Sequence, residues 1–218
     1  MVIAIMGESG SGKTTSLRNL DPAATFIVDC DKKGLSWRGW KGIYSGDQKN
    51  YISTDQPSVA LQILRRINTD EKYQHIKVIV FDTLNGLMIA DEMRRMREKG
   101  YDKWADLAAS IYELVDYALT VREDLCVVFT AHTQTDHDDG GYTFTRIKTS
   151  GRKLDKITLE SKFSTVLWAK KLNDKYVFET QANNSTAKSP MGALPDLHMD
   201  NDVAAVIELL NQYEKGEE

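Results

Sequence analysis

A short stretch near the start of the sequence has the composition and spacing of a phosphate-binding loop. Gly7 is followed by four variable positions and then by Gly12, Lys13 and Thr14. In such a loop the glycines permit a tight turn, so that backbone N–H groups converge on phosphate oxygens. The lysine adds a positive charge at the β- and γ-phosphates, and the threonine hydroxyl ligates Mg²⁺. This pattern therefore predicts a site for ATP and magnesium.

The loop lies in the sequence context that such a motif requires. The apolar run Val2–Met6 before it predicts a buried strand, and residues 16–20 after it predict a helix whose N-terminus faces the phosphates. We expect Lys13 to act in catalysis, Thr14 to bind the metal and Thr15 to contact the α-phosphate. The predicted nucleotide-binding residues are Gly7, Glu8, Ser9, Gly10, Ser11, Gly12, Lys13, Thr14 and Thr15.

A second carboxylate motif lies downstream. Four apolar residues, 78–81, are followed by Asp82, which is the Walker B form in which a central strand carries a carboxylate towards the water shell of magnesium. A strand that ends in aspartate is common, but it is specific when it follows a complete phosphate loop. We therefore predict that Asp82 is a metal-binding and catalytic residue.

Two further polar side chains follow predicted strands. Asp31 comes just after the strand at residues 25–29, and His132 follows the strand at residues 125–131. Ligands of open α/β sheets bind at the carboxyl ends of the strands. Asp31 is thus a candidate to orient or deprotonate the attacking water, and His132 a candidate to sense the γ-phosphate. The alternatives are a solvated turn aspartate and a structural histidine.

The elements that must position these residues can be read from periodicity. Helices are predicted at residues 58–68, 84–98, 104–121 and 202–213, and an additional strand at 42–45. A β-hairpin is predicted from 133–137 and 142–148, and paired strands from 164–172 and 175–181. The pattern predicts one α/β domain over residues 1–218, with a mostly parallel sheet flanked by helices, antiparallel strands towards the C-terminus and a frayed tail.

Composition narrows the class of protein. The chain has 218 residues, a formal charge of −4, 41% hydrophobic and 28% charged residues, which is ordinary for a globular protein with a core. The acidic balance gives no general attraction to nucleic acid, so any such site must be a local patch. Cys30 and Cys126 lie in or beside apolar runs and are expected to be buried thiols in a reducing cytosol. Export and membrane insertion are not expected.

One local patch is basic. It begins at the end of the predicted hairpin with Arg146 and Lys148 and continues beyond the hairpin with Arg152, Lys153 and Lys156. With Tyr142, which could stack on a base, these residues are the best candidates for contacts with single-stranded DNA. The aspartates at the hairpin tip repel phosphate, so we expect contacts along the hairpin rather than at the tip. The alternatives are a contact with a phosphate held by a neighbouring subunit and a solvated basic face.

Together these motifs resemble a RecA-type ATPase core, and more narrowly the Sak-type single-strand annealing ATPases of phages and prophages. The resemblance rests on residues 7–15, 29–31, 78–82, 129–132 and 148–156. It implies a RecA-like P-loop NTPase fold. It also implies that Asp31 occupies the place of a catalytic glutamate and His132 that of a phosphate-sensing glutamine. Both differ in residue type.

The resemblance further implies a function and partners. It implies DNA-stimulated ATP hydrolysis with Mg²⁺, acting on single-stranded DNA in recombination or strand annealing. It also implies a homo-oligomer, a single-strand DNA-binding protein as a partner, and the cytoplasm of a bacterium or phage-infected host. Two alternatives remain. One is a phosphotransferase whose lid uses Arg94, Arg95 and Arg97, and the other is an annealing module with ATP as a structural ligand.

Overall fold

In this computed structural model, which describes residues 1–100, 102–150 and 158–216, the chain forms an eight-stranded sheet and a separate two-stranded hairpin. The described strands are β1 (Val2–Met6), β2 (Thr25–Asp29), β3 (Tyr51–Ser53), β4 (Val78–Asp82), β5 (Cys126–Ala131), β6 (Thr133–His137), β7 (Thr143–Ile147), β8 (Thr165–Leu172), β9 (Lys175–Glu179) and β10 (His198–Asp200). The described α-helices are α1 (Pro57–Thr69), α2 (Leu84–Arg94), α3 (Asp102–Ala118) and α4 (Val203–Lys215).

The sheet is mostly parallel. Its order is β10-β9-β8-β1-β5-β4-β2-β3, with parallel pairing from β3 through to β8 and antiparallel pairing of β8 with β9 and of β9 with β10. The expected α/β class, with a mostly parallel sheet and antiparallel strands towards the C-terminus, is confirmed. Because the parallel strands point in the same direction, their carboxyl ends form one edge of the sheet, and the residues that follow β1, β2, β4 and β5 meet at that edge.

The register of the central strands determines which residues become neighbours at that edge. Met6 of β1 pairs with Ala131 of β5, and Asp29 of β2 pairs with Asp82 of β4. The Gly7 N–H, at the start of the phosphate loop, donates to the carbonyl of Ala131 at 3.0 Å. The phosphate loop therefore begins directly beside the end of β5.

Both faces of the sheet are buried, which explains the continuous apolar strands. Alternate residues of β1 point to opposite sides: Ala4 and Met6 join the core under α1, α2 and α3, whereas Ile3 and Ile5 join the core under α4. A parallel sheet covered on both faces needs such runs rather than alternating polarity. Cys30 and Cys126 are buried free thiols, as expected.

The helices follow their apolar spacing and end signals. Helix α1 begins with Pro57, a favourable residue in the first turn, and buries Ala60, Leu61, Leu64 and Ile67 on one face. Helix α4 begins after Asp202, whose carboxylate accepts the Ala204 N–H at 3.0 Å. Among the described residues, no helix combines the length and the apolar character needed to cross a bilayer.

Two predictions of local structure were wrong. The helix expected at residues 16–20 is a 3₁₀ turn, Thr15–Leu17, because only a few residues separate the loop from Asp21 and Pro22 and cooperative helix formation needs a longer segment. The strand expected at 42–45 is absent there, where the chain forms a 3₁₀ turn, Trp40–Gly42. The edge strand is instead β3, and it pairs with β2.

The hairpin of β6 and β7 is confirmed, and it is anchored to the rest of the chain. The Thr145 N–H donates to the carbonyl of Asn184, and the Thr186 N–H donates to the carbonyl of Thr145, each at 2.9 Å. The Tyr142 hydroxyl also donates to the side chain of Asn184. The segment around residue 184 thus extends the hairpin as a partial third strand.

Candidate active site

The phosphate loop is shaped by its glycines. Gly10 and Gly12 have φ values of +78° and +95°, which favour glycine. A Cβ atom on Gly7 would lie 2.4 Å from Ser11 Oγ and 2.5 Å from the carbonyl oxygen of Ala169 in β8. No side chain fits there, because the loop passes directly against the backbone of β8 at Ala169.

The outer side of the loop is supported by residues far along the chain. A Cβ atom on Gly12 would lie 3.0 Å from Asn201 Oδ1 and 3.1 Å from Cδ1 of Tyr176. Asn201 is buried, and its carbonyl accepts a hydrogen bond from Arg18 Nη1 at 2.7 Å. The spacing motif alone gives no sign of this support.

Lys13 is buried inside the loop. Its Nζ donates to the carbonyl oxygens of Gly7 and Glu8, each at 2.7 Å. Burial lowers the pKa of Lys13 to about 8, although the nearby carboxylate of Asp82 opposes this shift. A desolvated ammonium among backbone dipoles gains most from an anion, so the loop is built to receive a phosphate.

Asp82 lies opposite the loop and is fully buried. Thr14 Oγ1 donates to its Oδ2 at 2.7 Å, and the hydroxyl of Thr130 donates to its Oδ1. Burial raises the pKa of Asp82, while the two threonine hydroxyls favour the carboxylate. The peptide bond between Asp82 and Thr83 is cis. The structure therefore brings together the two residues predicted to bind the metal.

These donors fit Mg²⁺ held jointly with a nucleotide. Within the described part of the chain, no three His, Cys, Asp or Glu side chains cluster as a metal cage. Mg²⁺ in nucleotide sites commonly uses few protein oxygens and completes its shell with water and substrate phosphates. The Thr14 hydroxyl and the Asp82 carboxylate are hard oxygen donors, and the hydroxyl retains a lone pair while it donates to Asp82.

Replacing Asp82 by asparagine should weaken the magnesium dependence of nucleotide binding. Asparagine lacks the negative charge, and its NH₂ can only donate, so one of the two hydroxyls of Thr14 and Thr130 loses its acceptor. We expect the Mg²⁺ concentration at half-maximal binding of a non-hydrolysable ATP analogue to rise at least about tenfold, the size of one charge-assisted hydrogen bond. Thr130→Ser, which keeps the hydroxyl, is the control. An unchanged magnesium midpoint in folded Asp82→Asn would contradict this role.

Asp31 lies at the same edge of the sheet. Its Oδ1 accepts from the Thr83 hydroxyl at 3.1 Å, and its Oδ2 contacts Lys33 Nζ at 2.5 Å. A Cβ atom on Gly86 would lie 2.4 Å from Asp31 Oδ1, so the start of α2 packs closely against this carboxylate. The structure thus places Asp31 beside the residue that follows Asp82.

Asp29 holds the loop that follows β2. Its Oδ2 accepts from the Gly34 N–H and from the Tyr51 hydroxyl, each at 2.7 Å. Its Oδ1 is buried and has no hydrogen-bond partner among the described residues. Asp29 therefore positions the loop after β2 through these two hydrogen bonds.

His132 stands where β5 passes into the hairpin. Its backbone N–H donates to Asn85 Oδ1 at 2.6 Å, and its backbone carbonyl accepts the backbone N–H of Lys148 at 2.7 Å. Asn85 Nδ2 in turn donates to the carbonyl of Lys148 at 2.8 Å. Burial and the charge of Lys13 lower the pKa of His132, which favours the neutral imidazole. Asn85 therefore joins both ends of the hairpin to the first turn of α2.

The remaining predicted residues are distributed along the loop and hairpin. Glu8, Ser9 and Gly10 are exposed, Ser11 is buried, and Thr15 Oγ1 lies 2.9 Å from Ser36 Oγ. Tyr142 is 54% exposed and Lys148 is also exposed. Arg146 is different, because it forms an ion pair with Asp136 and its side chain is only 14% exposed. The predicted residues Arg152, Lys153 and Lys156 lie outside the described residues.

Sequence reasoning missed several residues of the site. They include Thr83, Asn85, Gly86 and Thr130, and each is defined by a long-range contact. Thr130 and Thr83 adjoin residues that the motifs had identified, so their polarity at strand ends was a usable signal. Nothing local distinguishes Asn85 or Gly86 from other residues in a first helical turn.

A parallel sheet with a phosphate loop after one strand, and a buried aspartate bonded to the loop threonine, defines a P-loop ATPase-type domain. The chain belongs to the AAA domain family, whose model matches residues 1–191. No curated protein matches the chain. Membership supports nucleotide binding and ATPase activity in general, and such ATPases generally use ATP and Mg²⁺.

Proposed function

We propose that the protein hydrolyses ATP and acts on single-stranded DNA in recombination or strand annealing, as the resemblance to Sak-type ATPases implies. The observation that carries the DNA part is the contact of Asn85 with both His132 and Lys148, at 2.6 and 2.8 Å. Both contacts are with backbone atoms, and Asn85 lies three residues after Asp82, so we expect a change at Asp82 to be transmitted to the hairpin through Asn85. Assembly as a homo-oligomer, a single-strand DNA-binding protein partner and a cytoplasmic location belong to the same proposal.

The residues of the site divide the hydrolysis reaction among them. Backbone N–H groups of residues 7–15 and the ammonium of Lys13 would hold the phosphates. Thr14 and Asp82 would hold Mg²⁺, which offsets charge on the phosphate oxygens. Asp31 would orient the attacking water and accept its proton. The side chain of His132, which follows the last residue of β5, would sense the γ-phosphate through a hydrogen bond.

The candidate DNA surface is the exposed side of the hairpin. Tyr142 offers a stacking face, and the exposed Lys148 near the base of the hairpin forms no ion pair with any described residue, whereas the charge of Arg146 is largely offset by Asp136. We therefore rank Tyr142 and Lys148 above Arg146 as DNA contacts. Asp138 uses its carboxylate to accept the N–H groups of Gly140 and Tyr142, at 2.9 and 2.8 Å, and so shapes the tip.

The phosphotransferase alternative receives less support from the structure. Arg94 is engaged by Asp55 and Asp91, and Arg95 by Glu98 and Asp106. A lid needs arginines that can close over the donor phosphates, and these two would first have to leave their ion pairs. The hairpin next to His132 has no obvious use in a small-molecule kinase.

The direct test is a titration of labelled single-stranded oligonucleotide, together with the ATPase rate measured with and without that DNA. We expect binding that weakens as salt increases and a higher hydrolysis rate with DNA. ATP hydrolysis without any DNA binding at low salt would overturn the DNA part and favour a phosphotransferase. DNA binding without hydrolysis would favour annealing with ATP as a structural ligand.

Two hairpin variants sharpen this test. Lys148→Gln should reduce the slope of log affinity against log salt by about 0.7, the value for one phosphate contact with a single strand. Tyr142→Ala should weaken binding at least about fivefold, because one base stack contributes about 1–3 kcal/mol. Lys72→Gln, in the exposed 3₁₀ turn Glu71–Tyr73, is the control. If neither hairpin variant changes DNA binding, the DNA surface lies elsewhere.

A further inference from the structure

A lysine that no motif includes lies beside the candidate water-activating carboxylate. Lys33 Nζ contacts Asp31 Oδ2 at 2.5 Å, and the other oxygen of Asp31 accepts from the Thr83 hydroxyl. Asp31 is therefore engaged on both of its oxygens. Each oxygen keeps a second lone pair, but the Lys33 ammonium occupies one side of the carboxylate and offsets its negative charge, so we expect this contact to loosen before Asp31 acts on a water molecule.

The backbone around Lys33 is fixed, which leaves the side chain as the adjustable part. The Cys30 N–H donates to the carbonyl of Asp82 at 2.7 Å, and the Gly34 N–H donates to Asp29 Oδ2 at 2.7 Å. The Lys33 side chain is half exposed. A long, flexible side chain on a fixed backbone can exchange one anionic partner for another without unfolding the loop.

The neighbouring lysine differs in its contacts. Lys32 Nζ pairs with Asp55 Oδ2 at 2.7 Å, on the loop that precedes α1. Lys33 instead pairs with Asp31, whose other oxygen is bonded to Thr83 next to Asp82, and its charge also contributes to the lowered pKa of Lys13 and of His132. The two consecutive lysines thus divide into one that connects loops and one that faces the phosphate-binding edge.

We propose that Lys33 is a lock on Asp31 that a γ-phosphate releases. Without a triphosphate, the ammonium holds Asp31. A γ-phosphate offers more negative charge and more acceptor oxygens than a carboxylate, so it draws the ammonium away and frees Asp31 to orient water. A nucleoside diphosphate lacks this group and leaves the lock closed. Lys33 is then a positioning residue that distinguishes triphosphate from diphosphate. This inference rests on the proposed ATP hydrolysis.

The test compares affinities for ADP and for a non-hydrolysable ATP analogue, both with Mg²⁺, so that binding is measured without turnover. In Lys33→Met the dissociation constant of the analogue should rise about three- to tenfold, because the ammonium contributes only the difference between its contacts with the γ-phosphate and with Asp31, and that of ADP should change less than about twofold. Lys33→Arg, which keeps the charge, should retain most of the discrimination. Lys32→Met is the matched control and should leave both affinities unchanged.

The outcomes separate the lock from the function on which it rests. If the unaltered protein binds the analogue but Lys33→Met keeps the same ratio of the two affinities, the lock is wrong and the ATPase proposal stands. If Lys32→Met causes the same loss, the effect is one of general charge and the lock is again wrong. If the unaltered protein binds neither nucleotide, both proposals fall.

Discussion

Lys13→Ala should abolish nucleotide turnover and weaken ATP binding by about 10- to 100-fold, because a charge-assisted contact contributes about 1.5–3 kcal/mol. The buried ammonium of Lys13 already points at the carbonyls of the loop, so it is placed where phosphate oxygens would arrive. Turnover should fall further than affinity, since the charge on the transferred phosphoryl group needs stabilisation in the transition state. Calorimetric binding and a phosphate-release assay measure the two effects.

A second lysine provides the control for this variant. Lys77 precedes the amino end of β4, at the end of the strands opposite to the phosphate loop, and its Nζ pairs with Asp124 Oδ2 at 2.6 Å. Lys77→Ala should leave nucleotide affinity and turnover unchanged. Circular dichroism and a thermal melt establish that Lys13→Ala is folded. Normal ATP affinity and turnover in folded Lys13→Ala would contradict the assignment of residues 7–15 as a phosphate-binding loop.

Asp31→Asn should slow hydrolysis by about 10²–10⁴-fold, the range for loss of a general base, while affinity for the ATP analogue stays within about threefold. The amide can still accept from Thr83, so the loop should keep its shape, but it cannot accept a proton from water. Single-turnover kinetics separate this chemical step from binding.

Asp55→Asn is the matched control, since Asp55 is a nearby carboxylate that pairs with Lys32 and Arg94 rather than with Thr83. It should hydrolyse ATP at close to the normal rate. If Asp31→Asn also does so, another carboxylate must activate the water. Asp29 would then be the next to test, because its Oδ1 is buried without a partner among the described residues.

Much of the fold could be predicted because its signals are local. The strands at 25–29, 78–82 and 125–131 are short apolar runs that a parallel sheet buries on both faces, and they were found with little error. The phosphate loop was found because its glycines and lysine stand at fixed spacing. Asp82 was singled out by its place after a buried strand, and the structure places its carboxylate in a hydrogen bond with Thr14.

The rest depends on contacts that sequence periodicity cannot show. The aromatic and glycine-rich stretch near residue 40 carries no clear period, so the edge strand was placed too early in the chain. Asn85 and Lys33 gain their significance from partners on other elements. The hairpin charge was also overestimated, because the pairing of Arg146 with Asp136 across β6 and β7 depends on the strand register.

The support behind Gly12 affects where the working unit of this ATPase ends. Tyr176 lies inside the region matched by the family, but Asn201 and α4 lie beyond residue 191. Side chains of α4, Val203, Val206 and Leu210, also fill the core beneath one face of the sheet. A fragment that ended at residue 191 would therefore lack Asn201, which packs against Gly12 of the phosphate loop. The smallest fragment that keeps this packing and the core beneath the sheet must include α4.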